Sequence, residues 1–360
     1  MAVVGILLHI VIGVLPVLGF LAALLYLDSY KLVAMRVVIG IVGAGLIVAV
    51  ACYFVNGYAL GASGVDFTRY SRYIGPVIEE FGKALVIVVL IRAHRVGFLV
   101  DAAIAGFAVG TGFAIVENLY YQHLVPDASV GTWIVRGFGT AIMHGGCTAI
   151  FAMAGLSMLE RTPRLSLAAF VPGFVVAVIV HSAYNHALLP PMLSTLAVIV
   201  VLPPLLLVVF QRSERATARW LGEGFDADTQ MLDSITSGHF SDSAAGRYLG
   251  SLKTRFKGPV VADLLCYLRL HTELALRAKG ILMMRESGFD ARLDEPTREK
   301  LVEMRYLEGS IGRTGHLALM PLLHAGNADI WQLKMLAAES AVTEAPAGSV
   351  LPSAAKRRGS

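Results

Sequence analysis

Residues 74–92 read IGPVIEEFGKALVIVVLIR. The run is about as long as the roughly 20 mostly apolar residues that a membrane-spanning helix needs. Yet it holds Glu79, Glu80 and Lys83 well inside its ends. A charged group at the bilayer centre costs at least about 2.5–3.5 kcal/mol on insertion scales, so three in one span point to a function. Glu79 and Lys83 are about one helical turn apart, so they share a face and can pair. Glu80 points about 100° away and can serve another partner.

Six further runs flank this one, at about 3–26, 32–55, 99–122, 131–158, 166–189 and 192–211. The first lacks a basic start and is longer than the core of a signal peptide, so it reads as a span. The spacing predicts an all-α protein, a polytopic membrane helical bundle of about seven transmembrane helices. Over the whole chain of 360 residues, 56% are hydrophobic and 16% charged, and the mean hydropathy is +0.67. A soluble domain has about 45–50% and 25%. The excess lies before residue 212. Three domains are therefore expected: 1–211 in the membrane, 212–340 as a small helical C-terminal cytoplasmic domain, and 341–360 as a disordered tail ending in Lys356, Arg357, Arg358, Gly359 and Ser360. Within the second, Ala262–Met284 carries apolar residues at helical spacing, and Asp294, Glu295 and Pro296 resemble a helix start.

Loop charges orient the stack. Lys31 and Arg36, Arg92 and Arg95, Arg161 and Arg164, and Arg212, Arg215 and Arg219 follow alternate spans. The stretch 123–130 and the turn at Pro190–Pro191 hold no Lys or Arg, and only Arg69 and Arg72 go against the pattern. By the positive-inside rule the N-terminus lies outside and the C-terminus in the cytoplasm. The net charge of +4 gives no footprint for nucleic acid. Cys52, Cys147 and Cys266 form no paired Cys motif.

Other spans also carry ionisable groups: Glu117 with Asn118 in the fourth, Arg136 and His144 in the fifth, and His181, Asn185 and His186 in the sixth. Counted from the span ends, most of them fall in the outer half of the membrane. His144 lies deeper, roughly 18–20 Å along its helix at 1.5 Å per residue. Carboxylates beside histidines can activate water, with Glu taking a proton from it and imidazole or amide groups stabilising an oxyanion or holding a metal. No Ser or Cys nucleophile accompanies them. Proton-coupled transporters place similar groups at mid-membrane, and polar packing remains the bland alternative. Gly106 and Gly110 read as a close helix contact. Tyr120, Tyr121 and Trp133 read as an aromatic belt, with His9 interfacial. Pro172 reads as a kink, and Gly61, Ala62, Ser63 and Gly64 as a flexible loop rather than a serine-protease motif. There is no His-Glu-x-x-His zinc motif.

The segment from Pro76 to Lys83 resembles the Glu-Glu-x-x-Lys motif of the PrsW family of intramembrane proteases. Three further segments, in order, resemble its other motifs. They are Asp101 to Tyr120, with Gly112 to Asn118 near its end; Met143, His144 and Gly145; and His181 to Asn185. The resemblance covers roughly residues 1–210. Lys83 stands one residue closer than the Arg of the distantly similar prenyl-protein (CAAX) proteases and bacteriocin-immunity proteins, and Glu117 stands where those have His. Both departures favour PrsW.

What the resemblance implies is an intramembrane endopeptidase, multi-pass in a bacterial plasma membrane, with a membrane-protein substrate of the anti-sigma-factor type. The expected catalytic set is Glu79, Glu80, Lys83, Glu117, His144, His181 and Asn185. Glu79 and Glu80 would activate water, Lys83 would hold their charge, and Asn185 would orient or serve the oxyanion. Glu117, His144 and His181 would be metal ligands or oxyanion partners. Two His and a Glu suit Zn2+, and the same residues also suit a metal-free Glu–His mechanism. The other reading is a proton-coupled transporter or a non-proteolytic immunity-type protein.

Overall fold

The computed structural model describes residues 2–161, 167–289, 291, 293–323 and 326–343. Among them every regular element is a helix. The first seven long ones are α1 (Ala2–Leu27), α2 (Met35–Ser63), α3 (Gly75–Arg92), α4 (Leu99–Leu124), α5 (Ala141–Arg161), α6 (Val171–Asn185) and α7 (Pro191–Thr236). They form a polytopic helical bundle, as the apolar runs predict. Six of the described helices are long and apolar enough to cross a membrane, counting the turns that lead into α5 and α6. The run at 74–92 is the helix outside that set. α3 has 18 residues, about 27 Å at 1.5 Å per residue, but it carries four charged side chains, Glu79, Glu80, Lys83 and Arg92.

The chain divides into two compact units. The first takes residues 1–227, 279–290 and 325–331. Its centre is α4, buried from Val100 to Ala114 on every side. A helix can sit there only if its neighbours come close, and small residues allow this. A side chain at Gly106 or Gly110 would collide with backbone atoms of Thr148 or His144 on α5. Gly45 and Gly112 do the same where α2 crosses α4. The predicted Gly-xxx-Gly contact is thus the α4–α5 seam.

Two π-helical segments interrupt the bundle, Tyr70–Ile74 ahead of α3 and Val135–Thr140 ahead of α5. Such turns re-aim the side chains that follow and occur often at functional sites. The first is launched by Asp66, whose side chain accepts from the Arg69 N–H at 3.0 Å. Asp101 caps the start of α4, accepting from Gly97 and Phe98 N–H at 2.7 and 2.6 Å. On the 93–98 loop, Asn327 donates to Val96 O at 2.8 Å, and the backbone of Gly97 lies against the indole of Trp331.

Several local readings need correction. Gly61–Ser63 is the last turn of α2, and only Gly64, with φ +67°, is the left-handed cap. Pro172 sits in the first turn of α6 and starts that helix instead of kinking it, because a missing N–H is harmless there. Trp133 is buried and stacks on His9 with ring centroids 5.4 Å apart, so it is not an outward-facing belt residue. The expected boundary after residue 211 falls inside α7, which runs to Thr236. Arg164 and the stretch 344–360 lie outside the described residues.

Among the described residues, the second unit takes 228–278, 291, 293–323 and 332–343. It contains α8 (Ala244–Ser251), most of α9 (Gly258–Glu286), α10 (Glu295–Leu319) and the later part of α11 (Asn327–Thr343). Leu264, Leu268, Leu301, Met304 and Leu307 are buried along α9 and α10. The Asp294 side chain caps α10 through the Thr297 N–H at 3.2 Å and pairs with Arg277 at 2.8 Å.

Candidate active site

The groups singled out on α3, α4, α5 and α6 meet in one network. Lys83 pairs with Glu80, Nζ to Oε1, at 2.5 Å. The pairing differs from the expected Glu79–Lys83 pair: an i,i+3 spacing also brings two residues to one face of a helix. The Lys83 side chain is 0% exposed and that of Glu80 2%. Such a pair has no access to water and persists because each charge neutralises the other. The Lys83 ammonium also lies 3.1 Å from His144 Nδ1 and 4.6 Å from the centre of the Phe113 ring.

Glu80 Oε1 has a second partner, His181 Nδ1, at 2.8 Å. A carboxylate only accepts, so Nδ1 carries the proton and Nε2 presents its lone pair. That Nε2 faces Glu79 Oε2 at 3.8 Å. On the other side His144 Nε2 meets Glu117 Oε2 at 2.7 Å. The same logic leaves His144 Nδ1 as the acceptor atom, turned to the inside of the network. The two imidazoles stand edge to face, centroids 4.8 Å apart. Carboxylate–histidine pairs of this kind fix tautomer and ring orientation in metal sites.

Both Glu117 oxygens are engaged, because Arg136 Nη2 lies 3.1 Å from Oε1. Arg136 also donates from Nε to Asn118 Oδ1 at 2.9 Å and stacks over Tyr121 at 3.7 Å. Asn118 in turn donates to Gly13 O of α1 at 2.7 Å. Asn185 turns away from this network. Its Nδ2 donates to Ser71 O at 2.9 Å, and Ser182 Oγ donates to Arg72 O at 2.6 Å. These two bonds tie α6 to the π turn ahead of α3.

Exposure separates the two tandem glutamates. The Glu79 side chain is 21% exposed, while Glu80, His144 and His181 are each 2%. Glu79 is therefore the acid of the pair that is reachable from outside the protein interior. Glu79, His144 and His181 each bring a donor atom within 4.8 Å of one another. Two imidazole nitrogens and a carboxylate form a three-ligand set that suits Zn2+ and leaves a fourth position open, as catalytic zinc sites do. The residue types fit the metal, and a bound ion would take the His144 Nδ1 lone pair in place of the Lys83 ammonium that lies 3.1 Å from it.

Arg136 and Asn118 stood in the sequence as polar residues within spans, without a task. Asn56, which reaches Glu79, and Tyr70, which holds Asn56, carried no signal, since one asparagine and one tyrosine at the edges of apolar runs are ordinary.

The family model that matches the chain is described as PrsW family intramembrane metalloprotease, and it matches residues 28–210, just over half of the length. No curated protein and no solved structure gives a match.

Proposed function

The chain belongs to the PrsW family of intramembrane metalloproteases, and from that premise we propose that it cuts its membrane-protein substrate at the Glu79–His144–His181 cluster. The observation that carries this reading is the contrast between the tandem acids. One is locked in a dry pair with Lys83, and the other is partly exposed and faces two oriented imidazoles.

Each residue then has a distinct task. Glu79 takes a proton from the attacking water and later passes it to the leaving amine. Glu80 orients His181 and neutralises Lys83. Glu117, held by Arg136, orients His144; with both oxygens so engaged, it acts as a support rather than as a metal ligand. Asn185 keeps α6 in register with the turn before α3. Glu79, His144 and His181 would hold a Zn2+ ion. A carboxylate has about four lone-pair positions, and Asn56 takes one, so Glu79 can both hold a cation and accept a proton. Bound zinc supplies Lewis-acid polarisation of the scissile carbonyl and lowers the pKa of water to about 7.

The charge pattern of the loops supports a plasma-membrane topology with the N-terminus outside, and it puts the start of α3 and the end of α4 toward the outer face. A substrate of the anti-sigma-factor type, cut at an extracytoplasmic bond, fits that topology and the family resemblance. The region after about residue 212 falls on the cytoplasmic side in the same topology.

Exhaustive treatment of the purified full-length chain with 1,10-phenanthroline should abolish cleavage of BODIPY-labelled casein in detergent micelles. Added Zn2+ should restore it. Activity that survives chelation, with metal content below one ion per ten chains, would reject the metal-assisted version in favour of a metal-free Glu–His one.

A further inference from the structure

Helix α2 carries none of the groups assigned above, yet it reaches the reacting carboxylate. Asn56 is a half-buried amide inside the long apolar helix Met35–Ser63. A polar side chain in that setting needs a partner. Its Nδ2 donates to Glu79 Oε1 at 3.1 Å, and its Oδ1 accepts from the Tyr70 hydroxyl at 2.8 Å.

The two bonds determine which way the amide points. A carboxylate only accepts, so a flipped amide would set oxygen against oxygen at Glu79. The Tyr70 hydroxyl then donates to the remaining oxygen. Tyr70 is itself 4% exposed, so the group that orients the amide is packed in place. It is also the first residue of the π turn Tyr70–Ile74, whose Ser71 and Arg72 carbonyls receive Asn185 and Ser182 of α6. One turn thus anchors the His181 helix and, through Tyr70 and Asn56, one oxygen of Glu79. The other oxygen is left facing His181 Nε2.

We propose that Asn56, held by Tyr70, is a positioning residue that fixes the rotation of the Glu79 carboxylate so that Oε2 faces the imidazoles. The role rests on the proteolytic reading of the cluster. A side chain that orients a group next to the metal or substrate is worth about 10–100-fold in metal affinity or activity. Asn56→Ala should therefore lower kcat by about that factor with KM unchanged. Asn56→Asp, nearly the same shape but unable to donate, should fare no better. Tyr70→Phe should give a smaller loss. The double variant should match Asn56→Ala alone, because residues acting through one contact are not additive.

The test uses full-length protein in detergent micelles, with two readouts on each variant. One is kcat and KM for BODIPY-labelled casein. The other is the rate at which loaded Zn2+ passes to a chromophoric chelator, which should rise in Asn56→Ala and less so in Tyr70→Phe. Wild-type kcat and wild-type Zn2+ release in Asn56→Ala, beside an inactive Glu79→Gln, would overturn the positioning role and leave the proteolytic reading standing. So would losses that simply add in the double variant. A wild-type chain no more active than Glu79→Gln would sink the proteolytic reading, and the positioning role with it.

Discussion

Glu79→Gln is expected to lower turnover by about 10²–10⁴-fold, the range for loss of a general base, while leaving the melting temperature close to wild type. Gln keeps the size of the side chain and can still bond Asn56 through its amide oxygen. It cannot take up a proton at pH 7 and is a poor metal ligand. The neighbouring Glu80→Gln should behave differently, because Glu80 is the acceptor for both Lys83 and His181. Gln leaves a buried ammonium without a counter-charge and holds the His181 ring only through a weaker, neutral acceptor. Glu80→Gln should therefore lose stability as well as activity. Dye release from labelled casein, read beside thermal unfolding, separates the two. Equal loss of activity and equal loss of stability in both variants would contradict the division of labour.

The second large effect is on folding. Lys83→Met removes one partner of an ion pair that is 0% and 2% exposed. Breaking a buried pair from one side costs about 3–5 kcal/mol, because the remaining charge stays buried without compensation. The methionine fills much of the same volume, so the loss reports charge and not a cavity. Combining Lys83→Met with Glu80→Gln removes both charges and should recover a large part of that stability, though not the activity, since His181 then has only a neutral amide oxygen as its orienting acceptor. Denaturant unfolding in mixed micelles gives the comparison. A double variant less stable than Lys83→Met would show that the charges do not act as a pair.

Much of this architecture is written in local pattern. Each of the seven expected spans corresponds to a helix, because about 20 apolar residues in a row have few other solutions. The polar residues that stood out inside the spans, Glu79, Glu80, Lys83, Glu117, His144 and His181, do gather in one network. The pairing among them was less legible. Helical spacing allowed Lys83 to meet either glutamate, and the choice fell to Glu80 through its i,i+3 geometry and the position of His181 on a different helix. Asn185 shares a face with His181 by spacing, yet its partner is the Ser71 carbonyl, exposed by a π turn that the hydropathy pattern does not encode. Arg136 gives no pairing signal in sequence because its partners lie on another helix. Helix α7 likewise runs on to Thr236, past the apolar run that ends at 211. Hydropathy marks where a helix leaves apolar surroundings, not where its hydrogen bonding stops.

The central claim is that Glu79, His144 and His181 converge on one reacting centre. Anomalous scattering at the zinc edge from a crystal of the full-length chain grown with Zn2+ tests it directly. The account predicts one strong peak bonded to an imidazole nitrogen of each histidine and to a Glu79 oxygen, at about 2.0–2.2 Å. A peak bonded instead through Glu80, or a zinc site that excludes both histidines while the protein remains active, would contradict it.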